Sequence, residues 1–411
     1  MENIWITISL ALIYGCLYLG SNWILMYLKH GRNLKKDPKP TRYPSVSVII
    51  PAYNSEGTIA KSIESVLNLK YPKKIQVLVV DDGSTDKTER IAKSYPVEYM
   101  KVKHGGKSRA MNKGLKKLKG ELVATLDSDS FVTPDALINM IGYLENSNTA
   151  AVIPVIKLYN RGKLLEKLQH IEYIYAAFLR KLFTFFNCLF VVPGPFSLFK
   201  RKVFDELGGF DEKNLTEDME MGLRILDAGY KIESSLNADV YTIAPNKLND
   251  LMKQRVRWYI GNLRNISAYR HVVFRLDDLS MVLITSLVSV VILLLSMLLI
   301  GRTALIYANT YFNLGKGYLS LGPSLDFTIE RLLSFDYSFN LLSFYLPGAV
   351  FTLAFLSVLV LFFLVGFRSV EEDINFGIEH IFYATLYNML LGIMWANSLF
   401  KELVNKVRGE T

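Results

Sequence analysis

The feature that most constrains the fold is a repeated alternation of apolar, strand-like segments with helical segments between residues 45 and 146. SVSVIIP at 45–51, IQVLVV at 75–80 and LVATL at 122–126 are near-continuous apolar runs, typical of strands covered on both faces. A further strand is predicted at 97–102, and helices are predicted at 57–69, 85–95, 107–118 and 133–146. Four βα units in succession predict a parallel, nucleotide-binding α/β sheet with right-handed crossovers.

The fourth strand ends in two carboxylates, Asp127 and Asp129, separated by one serine. Strand periodicity places both side chains on the same side, close enough to share one divalent cation. Sheets of this class bind ligands beyond the carboxyl ends of their strands, which is where this pair falls. A bare D-x-D pattern is also typical of solvated turn aspartates before a helix. Here Thr133 and Pro134 are expected to be the N-cap and the first residue of that helix.

Polar residues also follow the first and second strands. Tyr53 and Glu56 come after the first strand, and Asp81 and Asp82 after the second. Because the carboxyl ends of parallel strands meet at one edge, these side chains could hydrogen-bond a base and a ribose there. No glycine-rich phosphate loop follows the first strand, so the phosphates would have to be bound by a metal and by side chains such as Lys107.

Apolar segments flank this region. The chain is 51% hydrophobic with a mean hydropathy of +0.23, and the excess is concentrated at 4–28, 280–301, 346–367 and 378–399. The last of these is weaker because it contains Glu379, His380 and Asn388. We therefore predict a transmembrane helix at 1–28, a basic cytoplasmic linker at 29–44, a catalytic domain at 45–278, and about three membrane helices in 279–411. The expected location is the plasma membrane, as a multi-pass protein with a cytoplasmic catalytic domain.

The charge balance narrows the expected partners. The formal net charge is +9, but no zinc-ligand spacing or aromatic RNA-binding signature is present, so we predict no nucleic-acid partner. Membrane lipids with anionic headgroups and a phosphate-bearing substrate account for the basic charge more simply.

Several short motifs occur in order. PAYNSEG at 51–57, VVDDGSTD at 79–86, GGKSRAMNKG at 105–114 and LDSDS at 126–130 resemble the nucleotide-sugar half of family 2 glycosyltransferases. The resemblance covers about residues 45–265 and implies a Rossmann-like GT-A fold. It implies that Asp82 contacts the uracil or ribose of a UDP-sugar, that Asp127 lies at the nucleotide, and that Asp129 coordinates Mg²⁺ or Mn²⁺. The nucleotide-sugar candidates are Pro51, Tyr53, Glu56, Asp82, Lys107, Asp127, Ser128 and Arg257.

A strongly amphipathic helix is predicted at 163–187, with Leu168, Ile171, Phe178 and Leu182 along one stripe. Such a stripe either faces the core or lies on the cytoplasmic leaflet as an interfacial helix, and the pattern leaves both interpretations open. The glycine/proline turn in VVPGPFSLFK at 191–200 is expected to be a loop. In the family that this chain resembles, the matching segment lines the acceptor pocket.

Thr216, Glu217 and Asp218 open a helix predicted at 219–228. Thr216 can cap this helix, and acids in a first helical turn are expected from the helix dipole alone. The triplet also resembles the TED motif of the family, whose aspartate is the catalytic base. That resemblance assigns Asp218 the deprotonation of an acceptor hydroxyl, a role suited to a positioned carboxylate.

QRVRW at 254–258 is predicted to lie on a helix, with Gln254, Arg257, Trp258 and Gly261 on one face. A tryptophan on a polar face is unusual unless something stacks on it, and an acceptor sugar could do so; the alternative is a stray surface tryptophan. The segment also matches the QxxRW signature of membrane-embedded β-glycan synthases. The acceptor candidates are Gly194, Pro195, Glu217, Gln254 and Trp258, and the diphosphate candidates are Arg255 and Arg257.

The resemblance implies an inverting, metal-dependent glycosyltransferase that uses a UDP-sugar. The expected product is a β-linked polysaccharide made processively, as by hyaluronan, cellulose and poly-N-acetylglucosamine synthases. The alternative is transfer of a single sugar to a membrane lipid, as by ceramide glucosyltransferase, and a third hypothesis is an inactive scaffold. Because four spans are few for a channel, a second protomer or an accessory subunit could complete it. The sequence does not identify the sugar or the linkage.

Overall fold

A computed structural model of the protein describes residues 24–275, 363–370 and 377–408, with isolated positions within 7–21 and 305–316. The chain divides into two compact units, one of residues 1–25 and 284–364, the other of residues 26–283 and 365–411. The second unit contains the sheet, and all contacts described below lie within it.

Eight strands form one mixed sheet in the order β3-β2-β1-β4-β7-β6-β8-β5. The first four are parallel to one another, and β7 is antiparallel to both β4 and β6. Strand β6 pairs in parallel with β8, which pairs antiparallel with β5. The strands are β1 Val46–Ala52, β2 Gln76–Asp81, β3 Glu98–Lys101, β4 Leu122–Thr125, β5 Ser130–Val132, β6 Thr149–Leu158, β7 Leu198–Lys200 and β8 Lys231–Thr242.

Helices cover the sheet, and the predicted positions of those before residue 146 are confirmed with shorter bounds. They are α1 Ile59–Leu67, α2 Thr88–Ala92, α3 Lys107–Leu115, α4 Ala136–Ile141, α5 Leu164–Thr184, α6 Arg201–Leu207, α7 Glu217–Asp227, α8 Leu248–Ala268 and α9 Arg270–Arg275. Near the C-terminus, α10 Ile378–Phe382 leads through a π-helical turn, Tyr383–Tyr387, into α11 Asn388–Arg408.

The core lies on both sides of the sheet. Strand β1 is buried along its whole length, as its unbroken apolar sequence predicts. Its neighbours Ile49 and Ile50 point to opposite faces, Ile50 toward α1 and α4, and Ile49 toward α3 and α7. The parallel half of the sheet is therefore a three-layer structure, which holds the ends of β1, β2 and β4 at a fixed edge.

Two sequence predictions change in this part of the fold. Helix α4 begins at Ala136 and not at Pro134, because the hydroxyl of Thr133 donates to the carbonyl of Asp239 at 3.0 Å and does not cap the helix. The amphipathic helix α5 packs on β6 and β8, with Leu168, Phe178 and Leu182 buried, so its core-facing interpretation is confirmed.

Within the described residues, no helix combines the length and the apolarity that crossing a membrane requires. Of the four predicted spans, those at 4–28, 280–301 and 346–367 lie wholly or largely outside the described residues. The fourth, 378–399, is described and is not supported as a span. Its chain forms α10, the π turn and part of α11, which pack against α5 and α8 and bury Tyr383, Tyr387 and Met394 there.

Candidate active site

The candidate site lies where the winding of the sheet changes direction. Strands β2 and β4 flank β1 on opposite sides, so β1 and β4 form a topological switch point. Ligands of open α/β sheets bind in the crevice outside the carboxyl ends of the strands at such a point. Asp127 and Asp129 follow β4 there, so the structure puts the predicted carboxylate pair at the most favourable place on the sheet.

Asp127 and Asp129 have different surroundings. Asp127 Oδ1 lies 2.6 Å from Lys107 Nζ, whereas the carboxylate of Asp129 accepts a hydrogen bond from Ser130 Oγ at 3.2 Å. Asp129 is exposed on its cleft side. The protein atoms that displace water from its carboxylate and, second, the negative charge of Asp127 raise its pKa to about 6. A neighbouring cation would therefore stabilise the ionised form of Asp129.

The same pair defines what a metal could use. Among the described residues, no group of three or more histidine, cysteine or acidic side chains could hold a metal ion. The two neighbouring carboxylates, Asp127 and Asp129, are still suitable ligands for Mg²⁺ or Mn²⁺. In nucleotide sites such ions bind one or two carboxylates and complete their coordination shell with substrate phosphates and water. Asp129, with Asp127 beside it, would hold the ion.

Ser128, between the two aspartates, has a role within the fold. Its hydroxyl lies 2.8 Å from that of Ser55, and its carbonyl accepts a hydrogen bond from Ser62 Oγ at 2.8 Å. These contacts attach the turn after β4 to the segment after β1. Both strand ends are thus held in one arrangement, and the predicted contact of Ser128 with a nucleotide stays a prediction.

The loop before Lys107 is held by Asp82. The two oxygens of this buried carboxylate accept hydrogen bonds from the backbone amides of Gly105, at 2.9 Å, and Gly106, at 2.8 Å. The imidazole Nδ1 of His104 lies 2.9 Å from Asp82 Oδ2. Asp82 therefore fixes the start of α3, and with it the position of Lys107. Its predicted contact with the base or ribose is a separate matter that stays a prediction.

The residues after β1 differ in what they offer a ligand. Tyr53 is half exposed and stacks on His104, with ring centroids 4.3 Å apart and planes inclined by 24°. This pair presents a flat aromatic surface at the mouth of the cleft. The carboxylate of Glu56 accepts from the amide of Lys87 at 3.0 Å. Pro51 is buried within β1, opposite Val80, so the prediction that it contacts the nucleotide-sugar is wrong for its side chain.

Lys107 joins the sheet edge to the helix that begins with the predicted base. Its Nζ lies 2.6 Å from Asp127 and 3.5 Å from Glu217, the first residue of α7. Burial alone would lower the pKa of Lys107, but the charges of Asp127 and Glu217 outweigh it and raise that pKa. The lysine is thus held charged between the two carboxylates, and Asp218 is brought to the same cleft as Asp127.

Asp218 is the second residue of α7 and is half-buried. One of its oxygens accepts from the amide of Met219 at 2.8 Å. Burial, and then the negative charge of Glu217, raise the pKa of Asp218 to about 6, against the opposing effect of Lys107. A carboxylate with a pKa in this range is ionised near neutral pH and is a better proton acceptor than an ordinary aspartate.

The segment 192–197 forms the wall between the two carboxylate elements. A Cβ placed on Gly194 would lie 2.6 Å from both Asp127 Oδ2 and Lys107 Nζ, so a larger residue there would displace this ion pair. The amide of Val192 donates to the carbonyl of Asp218 at 3.3 Å. Pro195 is half-buried, and the buried Phe196 has a φ of +54°, a conformation that costs a non-glycine residue energy and is often found at functional sites.

Helix α8 positions the start of α7 through a residue that sequence reasoning missed. Asn265, 1% exposed, donates from Nδ2 to the hydroxyl of Thr216 at 3.0 Å and to its carbonyl at 3.2 Å, and accepts from Asn214 Nδ2 at 2.7 Å. One turn earlier, a Cβ on Gly261 would overlap the Thr216 side chain. Thr216 is the N-cap residue of α7, but its side chain does not cap the helix, because it is engaged by Asn265. The sequence feature that could have identified this contact is a glycine and an asparagine, Gly261 and Asn265, four residues apart on one helix face.

Comparison with known proteins places this site in a family. The family model described as "Glycosyl transferase family 2" matches residues 47–208, which include β1 through β4 and the carboxylate pair. Residues 47–208 are a family 2 glycosyl transferase domain. The chain therefore contains a family 2 glycosyl transferase domain, as the motifs predict.

Curated relatives agree with this assignment. The chain is 29% identical over 283 residues to "Probable glycosyltransferase YdaM" of Bacillus subtilis (strain 168), covering 64% of this chain and 67% of that one. It is 27% identical over 265 residues to "Poly-beta-1,6-N-acetyl-D-glucosamine synthase" of Staphylococcus epidermidis, covering 61% of this chain and 64% of that one. For that synthase and the other curated synthases compared, the chain spans less than two thirds of their length.

A solved structure supports the fold. The chain resembles "Mannosyltransferase PcManGT from Pyrobaculum calidifontis in complex with GDP-Man and Mn2+", with a TM-score of 0.53 and 21% identity over 89% of this chain and 98% of that one. The mixed, Rossmann-like GT-A fold is thereby confirmed for the family 2 glycosyltransferase domain.

Asp218 and the QRVRW helix lie beyond the matched segment, so their description depends on the structure. Arg255 is 1% exposed and forms an ion pair with Glu172 of α5 at 2.8 Å, while the hydroxyl of Tyr387 donates to the same carboxylate at 2.7 Å. The prediction that Arg255 binds a diphosphate is therefore wrong, because its guanidinium is committed inside the protein. Its charge also lies over Trp258, 4.3 Å from the ring centroid.

The ligand contacts predicted for the other residues of this helix stay predictions. Arg257 is exposed, and it donates to the carbonyl of Leu215 at 2.9 Å, one residue before Thr216, so it lies at the edge of the site. Gln254 accepts from Arg255 at 3.2 Å. Trp258 is half-buried with Arg255 over its ring, so the platform predicted for a sugar has a protein partner already.

Proposed function

We propose that this family 2 glycosyltransferase is an inverting β-glycan synthase that takes a sugar from a UDP-sugar. The observation that carries the proposal is the cluster centred on Lys107, which joins Asp127 at the nucleotide edge of the sheet to Glu217 beside Asp218. A donor-side carboxylate and a carboxylate with raised pKa face one cleft, as a single displacement requires.

In the proposed reaction, an acceptor hydroxyl attacks the anomeric carbon of the donor sugar. The bond between that carbon and the diphosphate oxygen breaks, UDP leaves with the electron pair, and the hydroxyl proton passes to Asp218. Attack from the side opposite the leaving group converts an α-linked donor into a β-linked product. Lys107 and Arg257 would balance the charge of the leaving diphosphate.

A divalent cation held by Asp129 and Asp127 would stabilise the negative charge that develops on the departing diphosphate. The raised pKa of Asp129 supports this assignment, because a cation would offset both the burial of this carboxylate and the repulsion from Asp127. We expect Asp129→Ala to lose metal-dependent UDP affinity. Equal UDP affinity of the wild-type protein with and without Mg²⁺ or Mn²⁺ would contradict the metal's role.

The donor and product are inferred from relatives. Because several curated relatives are named poly-β-1,6-N-acetylglucosamine synthases, UDP-N-acetylglucosamine is the first donor to test. The full chain should release UDP from it faster than from UDP-glucose, with GDP-mannose as a control donor. A ladder of polymers formed without added lipid supports a processive synthase, whereas a single organic-extractable product would favour transfer to a lipid.

We also propose that the protein is an integral plasma-membrane protein whose catalytic domain faces the cytoplasm. The support is the sequence alone, namely the apolar runs at 4–28, 280–301 and 346–367 and the basic segment after the first. Membrane lipids and a second protomer or accessory subunit are its proposed partners. Release of the full chain from membranes by alkaline carbonate would contradict this location.

The base is tested by Asp218→Asn, with Asp227→Asn at the far end of the same helix as the matched control. The first variant should lose about 10²- to 10⁴-fold in transfer rate while UDP affinity changes little, because only proton acceptance is removed. The control should transfer at the wild-type rate. Full activity of Asp218→Asn would exclude it as the base.

A further inference from the structure

A cavity of about 330 Å³ lies at the end of the sheet opposite the candidate active site. It is bounded by residues just before β1, by the start of β4, by the end of β7 and by the short helical turn after α4. At about 3.3 Å per residue, the start of β4 is roughly 17 Å from Asp127. A ligand in this cavity would therefore be separate from a donor at the carboxylate edge.

The acidic side chains of this cavity already have partners. Glu121 forms an ion pair with Arg42 at 3.0 Å and accepts from the amide of Ser45 at 3.3 Å. Glu145 accepts from the amides of Thr41, at 2.5 Å, and Arg42, at 3.2 Å. These contacts hold the segment before β1 in place. The lining has four cations, Arg42 and 200–202, against the two carboxylates Glu121 and Glu145, which leaves an excess of two positive charges.

Three successive cations, Lys200, Arg201 and Lys202, also line the cavity. They bond to neutral oxygens: Lys200 Nζ to the carbonyl of Asn146 at 2.5 Å, Arg201 to that of Gly120 at 3.4 Å, and Lys202 to the hydroxyl of Tyr230 at 3.3 Å. Within the part of the chain that the structure describes, none of the three is paired with a carboxylate.

The crowding of positive charge is visible at Lys200. Burial, and then the charges of Lys202 and Arg42, lower the pKa of its ammonium group. An anion in the cavity would oppose this effect, because it would balance the positive charge that Glu121 and Glu145 leave in excess. Arginine and lysine together are the donors that phosphate groups favour, the first through its fork of N–H donors and the second as a point charge.

We propose that this cavity is a second ligand site, which binds the phosphate group of a small phosphorylated molecule through Lys200, Arg201 and Lys202. Its volume is at the lower end of the range for small-molecule pockets, about 300–1,000 Å³, so it suits one phosphate or diphosphate group with a small substituent. A free phosphorylated metabolite and the headgroup of a phospholipid share this chemistry.

Hydrogen–deuterium exchange on the full chain tests the site, with inorganic pyrophosphate as the probe and a chelator present to remove metal. Pyrophosphate should slow exchange in peptides covering 198–207 and 118–124. Peptides covering 104–115 and 125–130 report separately on the catalytic edge, so binding there cannot be mistaken for binding in the cavity. Unchanged exchange at 198–207 in the wild-type protein, both with pyrophosphate and with the phosphatidic acid vesicles described below, would overturn the proposal.

Charge-neutralising variants identify the residues responsible. The double variant Arg201→Gln, Lys202→Gln should weaken pyrophosphate binding at 198–207 by about tenfold or more, since hydrogen bonds to charged groups are strong. The matched control is Arg90→Gln, an exposed cation on α2 at the β2–β3 side of the sheet. Equal weakening by the control, or none by the double variant, would show that the binding is not in the cavity.

A second arm separates the two sources of phosphate. Vesicles of phosphatidylcholine with and without phosphatidic acid are compared with soluble pyrophosphate by the same exchange measurement. Protection of 198–207 by pyrophosphate supports a soluble ligand, and protection only by vesicles that contain phosphatidic acid supports a lipid headgroup. Protection by neither probe would refute the site.

Discussion

The link between Asn265 and Thr216 predicts that a residue remote from the reacting atoms sets the position of the base. Asn265→Ala removes three hydrogen bonds, of 2.7, 3.0 and 3.2 Å, from a side chain that is 1% exposed. At about 0.5–1 kcal/mol for each bond, with a further cost because buried acceptors on Thr216 are left without donors, we expect a loss of about 2–4 kcal/mol in the free energy of unfolding. For a domain of this size that is a fall of roughly 4–16 °C in the melting temperature.

The effect on activity should exceed the effect on substrate binding. Thr216 is two residues before Asp218, and a misplacement of about 1 Å at a reacting group costs on the order of 100-fold in rate. We therefore expect kcat for UDP release to fall by about 10- to 100-fold while the donor KM changes by less than about threefold. Initial rates at saturating donor, measured well below the melting temperature, provide the test.

Two further variants are compared with Asn265→Ala. Thr216→Val keeps the side-chain shape and removes only the hydroxyl, so its losses of stability and of kcat should both be smaller. Ser267→Ala lies on an exposed part of the same helix and should change neither quantity. If Asn265→Ala loses stability but keeps the wild-type kcat, the helix α8 contact does not position the base and the reasoning is wrong.

Three other outcomes follow from the site. Since the pKa of Asp218 is raised to about 6 and its ionised form is the acceptor, transfer at saturating metal should fall about tenfold per pH unit below 6; a flat profile to pH 5 would contradict this. Gly194→Ala should open the adjacent ion pair, lower the free energy of unfolding by about 1–3 kcal/mol and weaken UDP binding, as measured by urea unfolding and UDP titration. The control is Gly57→Ala, where a Cβ meets no atom within 4 Å, and it should change neither quantity. Glu172→Gln leaves the buried Arg255 without its counter-charge and should cost about 3–5 kcal/mol in urea unfolding; a loss near zero would show that the pair is solvated.

The donor half of the fold was predictable because its strands have an unmistakable composition. Strand β1 is fully buried, as its run of apolar residues predicts. Strands β6 and β8 were missed although β6 is buried throughout. Pro154 interrupts the first, and polar residues such as Glu233 and Asn237 interrupt the second, so neither has the clean period of a strand. These two segments are strands because they pair with each other and with neighbouring strands, and such non-local pairing cannot be seen in the local sequence pattern.

The site was predictable in its residue types and less so in their partners. The carboxylates Asp127 and Asp218 come to one cleft, as the motifs imply, but Lys107 as their common partner requires the relative position of two distant helices. Arg255 shows the limit of a helical projection. Such a projection orders side chains around an axis, but only tertiary packing decides that Arg255, beside the exposed Arg257, is the one buried.

The surroundings of the Arg255 ion pair are completed late in synthesis. Its partner Glu172 leaves the ribosome first, but Tyr387, which bonds the same carboxylate, follows Arg255 by about 130 residues. At 5–20 residues per second that interval is on the order of ten seconds. During it, the carboxylate of Glu172 would lack its hydrogen bond from Tyr387, and α8 would lack the helix that later packs along it. The nascent domain should therefore be more vulnerable to proteases before residues 378–408 emerge, and a chain ended after Arg275 would remain in that state.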